Sequence, residues 1–178
     1  PPLGLLYLAG NLLTHNFNVR VVDGCLDGKD AIELAIKEYQ PHIVGITCLT
    51  PGRKKVLKIA EYCKAVAPKT TVVIGGVHPT IMYKQLLENY SCIDYIILGE
   101  GEQTLLELAK GFEPHEIDGL AFVRDGRVVK TSTRQLADNL DEIPFPAWHL
   151  IDLHRYPPIG DQIFRGIDLR REPRVSVI

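Results

Sequence analysis

Three short loops carry the residues whose types and spacing could do chemistry. Each follows an apolar, strand-like segment and precedes a helix-like one, and two of them are rich in glycine. Because glycine lacks Cβ, its backbone can approach a large ligand closely or adopt positive φ. Open parallel sheets bind ligands at the carboxyl ends of their strands. We therefore predict a binding site made of Thr47, Cys48, Leu49, Thr50, Gly75, Gly76, His78, Pro79, Gly99, Glu100, Gly101 and Glu102.

These loops do not favour a phosphate ligand or a metal centre. Glu100 and Glu102 lie at the start of a predicted helix, where carboxylates suit the helix dipole but would repel a phosphate. Neither the G-x-G-x-x-G pattern nor a G-K-[ST] loop is present. His78 has no histidine or cysteine at ligand spacing, so a polar contact to a ligand is favoured over metal ligation. We predict no metal ligand and no catalytic residue in this chain.

The remaining candidates for chemistry have simpler interpretations. The four cysteines form no C-x-x-C pair, which favours reduced, buried thiols in a cytoplasmic protein. Asp152-Leu153-His154 could orient a histidine, but it lies in irregular sequence and is interpreted as a surface turn. Asp23 follows a strand-like segment and is likewise interpreted as a turn residue.

The elements that must position the loops alternate between strand and helix patterns. This alternation predicts an α/β, Rossmann-like (flavodoxin-like) parallel sheet flanked by helices, followed by a β-hairpin and an irregular linker. Thr50 is expected to cap one helix, with Pro51 at its first position, and Pro79 to open another. The predicted strands are 19–22, 43–47, 71–74 and 95–98, and the predicted helices are 3–15, 32–39, 50–67, 79–89 and 102–110.

The pattern also predicts domain boundaries. We expect a Rossmann-like domain over 1–115, a hairpin over 116–131 with Asp125-Gly126 in its turn, and a linker over 132–178. The aromatic residues of this linker suggest that it packs against the domain. Residues 175–178 resemble the first strand of a further domain. Since a doubly wound sheet usually begins with a strand, we expect one to precede residue 1.

Bulk properties exclude some partners. Lys plus Arg is 20 and Asp plus Glu is 22, so the net charge of −2 gives no electrostatic reason to expect nucleic acid. No apolar run approaches the roughly 20 residues that cross a bilayer. We therefore expect a soluble, cytoplasmic protein without a membrane or nucleic-acid partner.

Four ordered segments together resemble a known family. They are 1–9, Gly75-Gly76-Val77-His78-Pro79-Thr80, Gly99-Glu100-Gly101-Glu102 and 141–146. This set is similar to the N-terminal region of cobalamin-dependent radical S-adenosylmethionine enzymes, which include methyltransferases and the anaerobic magnesium-protoporphyrin monomethyl ester cyclase. The resemblance implies that cobalamin lies over the three loops. It also implies that S-adenosylmethionine and a 4Fe–4S cluster bind a barrel that follows in the same polypeptide, so this chain alone is not expected to be active.

Two features bear on the cobalamin interpretation. The D-x-H-x-x-G motif, whose histidine coordinates cobalt in another cobalamin-binding class, is missing, because Asp152-Leu153-His154 leads to Pro157 instead. The family resembled here commonly lacks that histidine. A valine at position 76 is expected to intrude on the corrin ring and abolish binding.

Two alternatives to a cobalamin-binding module remain. The first is a cofactor-free α/β scaffold or partner-binding domain, in which bulky side chains would fill the space above Gly75-Gly76. The second is a receiver-like domain, which is disfavoured because Glu100 stands where such a domain needs a lysine.

Overall fold

The computed structural model describes residues 1–137 and 139–156. Five α-helices occur in this part of the chain: α1 (Leu3–Thr14), α2 (Gly28–Tyr39), α3 (Arg53–Val66), α4 (Val77–Asn89) and α5 (Glu102–Ala109). Five strands accompany them: β1 (Ile43–Thr47), β2 (Thr71–Gly75), β3 (Tyr95–Ile97), β4 (Leu120–Arg124) and β5 (Arg127–Lys130). The α/β class and most element positions are therefore confirmed.

The strands form one mixed sheet in the order β1-β2-β3-β4-β5. β1, β2 and β3 are parallel, as predicted, whereas β4 is antiparallel to β3 and β5 is antiparallel to β4. The predicted hairpin exists, and it extends the sheet. Asp125 and Gly126 have φ of 50° and 72°, and two consecutive positive φ values suit a tight two-residue hairpin turn.

The sheet separates two apolar layers. Val72, Ile74 and Ile96 face a layer formed with α3 and α4, while Val73 and Ile97 face a layer that includes Leu105 of α5. The alternation along β2 follows from the two-residue side-chain period of a strand. Because both faces are covered, the central strands are almost entirely apolar.

The predicted strand over 19–22 is wrong. Residues 17–23 have no strand or helix assignment, and Val19, Val21 and Val22 are only half-buried. A strand requires a hydrogen-bonding neighbour, and among the described residues β1 pairs with β2 alone. The valine-rich segment therefore has high β propensity, but it lacks the neighbouring strand with which it would have to pair.

Residues 144–156, called the strap below, pack against the start of the domain. The Ala147 amide donates to the Leu6 carbonyl at 2.9 Å, and Arg155 pairs with Asp27 at 2.7 Å. The Tyr156 hydroxyl donates to Asp23 at 2.9 Å. Burial, followed by this hydrogen bond, raises the pKa of Tyr156 to about 12. The strap therefore packs against the domain as the sequence predicted, but Phe145, one of the residues on which that prediction rested, is 92% exposed and its side chain does not contribute. The predictions for 157–178 lie outside the described residues.

The strap depends on a close backbone approach at Gly10. A Cβ on Gly10 would overlap the Phe145 carbonyl oxygen, whereas a Cβ on Gly4, in the same helix, would meet nothing within 4 Å. We predict that Gly10→Ala frees the strap, so that the Ala147 amide exchanges at least about tenfold faster with deuterium. Gly4→Ala should leave that exchange unchanged and stabilise α1 by roughly 0.5–1 kcal/mol. Equal exchange in the two variants would contradict this contact.

Candidate functional site

The three predicted loops lie at one edge of the sheet. Because β1, β2 and β3 are parallel, their carboxyl ends point the same way, and Thr47 is in register with Gly75. We name the segments loop A (47–50), loop B (75–79) and loop C (99–102). The sequence therefore places these segments correctly relative to one another, while ligand contact by their residues stays a prediction.

Hydrogen bonds join loop A to loop B. The Cys48 amide donates to the Gly75 carbonyl at 2.8 Å, and the His78 amide donates to the Cys48 carbonyl at 3.4 Å. The Thr50 hydroxyl lies 3.2 Å from Nδ1 of His78. The expectation that Thr50 caps a helix is wrong, because it opens a short 3-10 turn (Thr50–Gly52) and makes no cap to α3. Its hydroxyl instead contacts the neighbouring loop.

His78 belongs to α4, although the sequence predicted a helix opening at Pro79. The helix begins at Val77, and Gly76 is its N-cap with φ of 104° and ψ of −178°. His78 is 9% exposed, and its imidazole is held against loop A by Thr50. A proline at the third helical position is tolerated because the first helical N–H groups have no partner within the helix. This geometry gives His78 a structural role between two loops.

Loop B is joined to loop C by Thr80, a residue absent from the predicted site. Its hydroxyl donates to the Gly76 carbonyl at 2.9 Å and accepts from the Gly99 amide at 3.2 Å. The first bond is readable from sequence, because Thr in a helix often bonds the carbonyl four residues earlier. The second bond spans 19 positions and depends on the fold.

The glycines of these loops serve different purposes. A Cβ on Gly76 would lie 3.0 Å from the Cys48 carbonyl oxygen, and one on Gly75 would make an ordinary contact of 3.8 Å with Ile97. A Cβ on Gly101 would crowd Ile97 and Leu8, both at 3.3 Å. A valine at position 76 would therefore press on the Cys48 backbone of loop A, while its intrusion on the corrin stays a prediction.

Gly99 is the glycine that borders open space. It has φ of 75°, and a Cβ there would have no heavy atom within 4 Å. Three apolar side chains of the same region are also largely uncovered: Leu49 is 63% exposed, Val77 65% and Ile81 71%. Exposed apolar groups beside an open glycine are suited to contact with a large, partly apolar ligand.

The carboxylates of loop C do not cap α5. The N-cap is Gly101, without a side-chain hydrogen bond, and Glu100 is exposed. The start of α5 is instead held by Asn11 of α1, which donates to the Glu102 carbonyl at 2.8 Å. Asn11 is 6% exposed, and a lone Asn in an apolar helix gave no sequence signal of this contact. Glu102 retains only the favourable dipole interaction of the first turn.

The expectation of buried thiols holds for three of the four cysteines and is wrong for Cys25. Cys48 and Cys63 are buried, Cys92 is half-buried and Cys25 is exposed. Burial raises the pKa of the Cys48, Cys63 and Cys92 thiols, which keeps them protonated and weakly nucleophilic at neutral pH. Within residues 1–137 and 139–156, no group of three or more His, Cys, Asp or Glu residues could hold a metal ion.

Two further features lie outside the candidate site. Asp152 accepts the His154 amide at 3.0 Å, so this motif is the local surface turn that the sequence predicted. A cleft of about 500 Å³ lies at the opposite edge of the sheet, where Asp94 and Tyr95 begin β3. In the described part of the chain, none of the helices is long and apolar enough to cross a membrane.

Comparison with known proteins now identifies the family. The B12 binding domain family matches residues 1–109, which contain all three loops. The chain belongs to the B12-binding domain family. Its edge loops and parallel strands are therefore those of a B12-type domain.

Two relatives place this domain within longer proteins. An uncharacterised methyltransferase of Pyrococcus horikoshii is 35% identical over 166 residues, which cover 90% of this chain and 36% of the relative. The anaerobic magnesium-protoporphyrin IX monomethyl ester cyclase of Rubrivivax gelatinosus is 33% identical over 167 residues, covering 88% of this chain and 30% of the relative. The chain thus spans about a third of each relative's length.

Solved structures give the same fold. The radical S-adenosylmethionine methyltransferase TsrM of Kitasatospora setae, with tryptophan and an S-adenosylmethionine analogue bound, superposes with a TM-score of 0.64 at 25% identity. That match covers 74% of this chain and 27% of TsrM. A second TsrM structure, with cobalamin and a 4Fe–4S cluster bound, gives a TM-score of 0.65 at 23% identity and covers 82% of this chain and 28% of TsrM.

Proposed function

We propose that this chain is the cobalamin-binding module of a radical S-adenosylmethionine enzyme that performs methyl transfer or an oxidative cyclisation. One observation carries the proposal: three hydrogen-bonded loops end parallel strands at one edge, and Gly99 leaves open space there. Such an edge is where open α/β sheets accept ligands. The methyltransferase and the cyclase among the relatives supply the two reaction classes.

The residues at this edge fit a corrin in shape and chemistry. Leu49, Val77 and Ile81 expose apolar surface for the flat ring. Glu100 and the backbone of loop C can accept hydrogen bonds from the amide groups at the rim of the corrin. Bound cobalamin would supply the cobalt centre for methyl transfer or cyclisation, and these residues would bind and orient it.

We assign His78 to positioning loop A and loop B, not to coordinating cobalt. His78 is 9% exposed and lies inside the first turn of α4, where its Nδ1 contacts Thr50. A cobalt ligand would instead need a ring nitrogen directed into the open edge. The loop residues are therefore proposed to bind cobalamin through the shape of their surface and through backbone contacts.

The expected barrel, S-adenosylmethionine and the 4Fe–4S cluster belong to the same proposal. The relatives are about three times as long as this chain, which leaves room for such a barrel. The domain boundaries stay a proposal: a cobalamin-binding domain over 1–115, a hairpin over 116–131 that extends its sheet, and a linker from 132.

A cofactor-free scaffold is the alternative, and one observation weighs against it. The atoms nearest a Cβ on Gly76 belong to Thr47 and Cys48 of loop A, and a Cβ on Gly75 would meet only Ile97 at 3.8 Å. None lies within 4 Å at Gly99, so no bulky side chain fills the edge in these directions. A scaffold that had lost its ligand would be expected to fill such apolar surface.

The proposal predicts that the full-length protein binds hydroxocobalamin, observed as a change in cobalamin absorbance and co-elution in gel filtration. After reduction to cob(II)alamin, its electron paramagnetic resonance spectrum should lack nitrogen superhyperfine splitting from a protein histidine, because His78 is 9% exposed and lies inside the first turn of α4. Absence of both spectral change and retention would contradict cobalamin binding. Splitting that disappears in His78→Phe would instead contradict the role assigned to His78.

A further inference from the structure

Thr80 is the only described side chain whose hydrogen bonds join loop B to loop C. Its hydroxyl donates to the Gly76 carbonyl and accepts from the Gly99 amide. A hydroxyl can donate and accept at the same time, so one oxygen atom forms a hydrogen bond with a backbone group of each loop. The bridge belongs to neither the apolar core nor the backbone ladder of the sheet.

The two glycines that it joins both have positive φ. Gly76 has φ of 104° and Gly99 has φ of 75°. Because glycine has no Cβ, its backbone adopts these positive φ values readily but is not confined to them. A fixed hydrogen bond to each residue therefore removes freedom that the backbone itself would keep. Thr80 consequently sets the separation between Gly76, near the start of loop B, and Gly99, at the start of loop C.

A purely local role would leave the second bond unexplained. Threonine within a helix often bonds the carbonyl four residues earlier, and this alone accounts for the contact with Gly76. Thr14 makes a comparable local bond, to the Asn11 carbonyl three residues earlier at 2.8 Å, without joining two loops. The bond from Gly99 has no local origin, because 19 residues separate donor and acceptor.

We infer that Thr80 is a positioning residue for the cofactor site, whose hydroxyl holds loops B and C at the spacing that accepts cobalamin. This inference rests on the proposed function. Because a preorganised site loses less freedom on binding, removal of the bridge weakens binding while leaving the apolar core intact. The half-buried position of Thr80 keeps its own burial contribution small.

The test compares Thr80→Val, which keeps the shape and removes the hydroxyl, with Thr80→Ser, which keeps the hydroxyl. Thr14→Val is the matched control, since it removes a local helical bond of the same kind. In the full-length protein, Thr80→Val should raise the dissociation constant for hydroxocobalamin about tenfold, the effect of one lost hydrogen bond. Thr80→Ser and Thr14→Val should stay within about twofold of the wild type.

Hydrogen exchange of the Gly99 amide, measured without cobalamin, tests the bridge separately from cobalamin binding. It should accelerate in Thr80→Val, be restored in Thr80→Ser and remain unchanged in Thr14→Val. If the wild type bound hydroxocobalamin and Thr80→Val bound it equally tightly, the inference would be overturned and the proposed function would stand. Failure of the wild type to bind would overturn both, and unchanged Gly99 exchange in Thr80→Val would refute the bridge itself.

Discussion

Replacing Gly76 with alanine is expected to lower the free energy of unfolding by about 2–4 kcal/mol, because the backbone there suits only glycine. Its φ of 104° and ψ of −178° lie in a region that costs other residues about 1–3 kcal/mol. The added Cβ would also press on the backbone of Cys48, with oxygen at 3.0 Å and nitrogen at 3.3 Å. Backbone atoms yield less easily than the end of a flexible side chain.

Gly75→Ala is the matched control for this substitution. The two glycines are adjacent, but a Cβ on Gly75 would make only a van der Waals contact of 3.8 Å with Ile97. Alanine also reduces the backbone entropy lost on folding, so Gly75→Ala should change stability by less than about 1 kcal/mol. Denaturant unfolding of both variants measures the difference. Equal stability in the two variants would contradict the strained geometry assigned to Gly76.

The effect of Gly76→Ala on cobalamin is a consequence of the same strain. The Cys48 carbonyl that it would displace accepts the His78 amide, so the contact between loops A and B would be lost together with the turn. A larger side chain at position 76 would therefore change binding by distorting loops A and B. It is not a direct probe of the space that the ring would occupy.

The sequence predicted the fold well where the pattern is local. The apolar segments at 43–47, 71–74 and 95–98 became β1, β2 and β3, because strands covered on both faces need continuous apolar side chains. The Asp125-Gly126 turn also appeared as expected. These features depend on side-chain period and turn chemistry, which the sequence carries directly.

The failures have the opposite character, since each depends on a partner distant in sequence. The valines at 19–22 have strand-forming side chains but no pairing neighbour among the described strands. Thr50 has the composition of a helix cap, yet its hydroxyl contacts His78, 28 residues away. Local propensity does not say which distant residue a side chain contacts in the folded chain, so it cannot predict these outcomes.

The site was predicted in outline and not in its internal connections. The glycine-bearing loops could be located because parallel strands bring their carboxyl ends together. Thr80 and Asn11 were missed because their decisive partners, Gly99 and Glu102, lie 19 and 91 positions away. The direction of each glycine's missing Cβ also depends on neighbours that only the folded chain brings close.

The most direct test of cobalamin binding at this edge is the replacement of Gly99 with asparagine. Asparagine tolerates positive φ better than most residues, and its side chain would project into the open space found at Gly99. Gly126→Asn is the matched control, because Gly126 has a similar φ of 72° and an equally open Cβ position in the β4–β5 turn.

Both variants should fold with nearly unchanged unfolding midpoints, and the measurement is the dissociation constant for hydroxocobalamin in the full-length protein. We expect Gly99→Asn to weaken binding at least about 100-fold, equivalent to about 2.7 kcal/mol, and Gly126→Asn to bind like the wild type. If the folded Gly99→Asn variant bound cobalamin as tightly as the Gly126→Asn variant, cobalamin would not lie over loop C and the proposed site would be wrong.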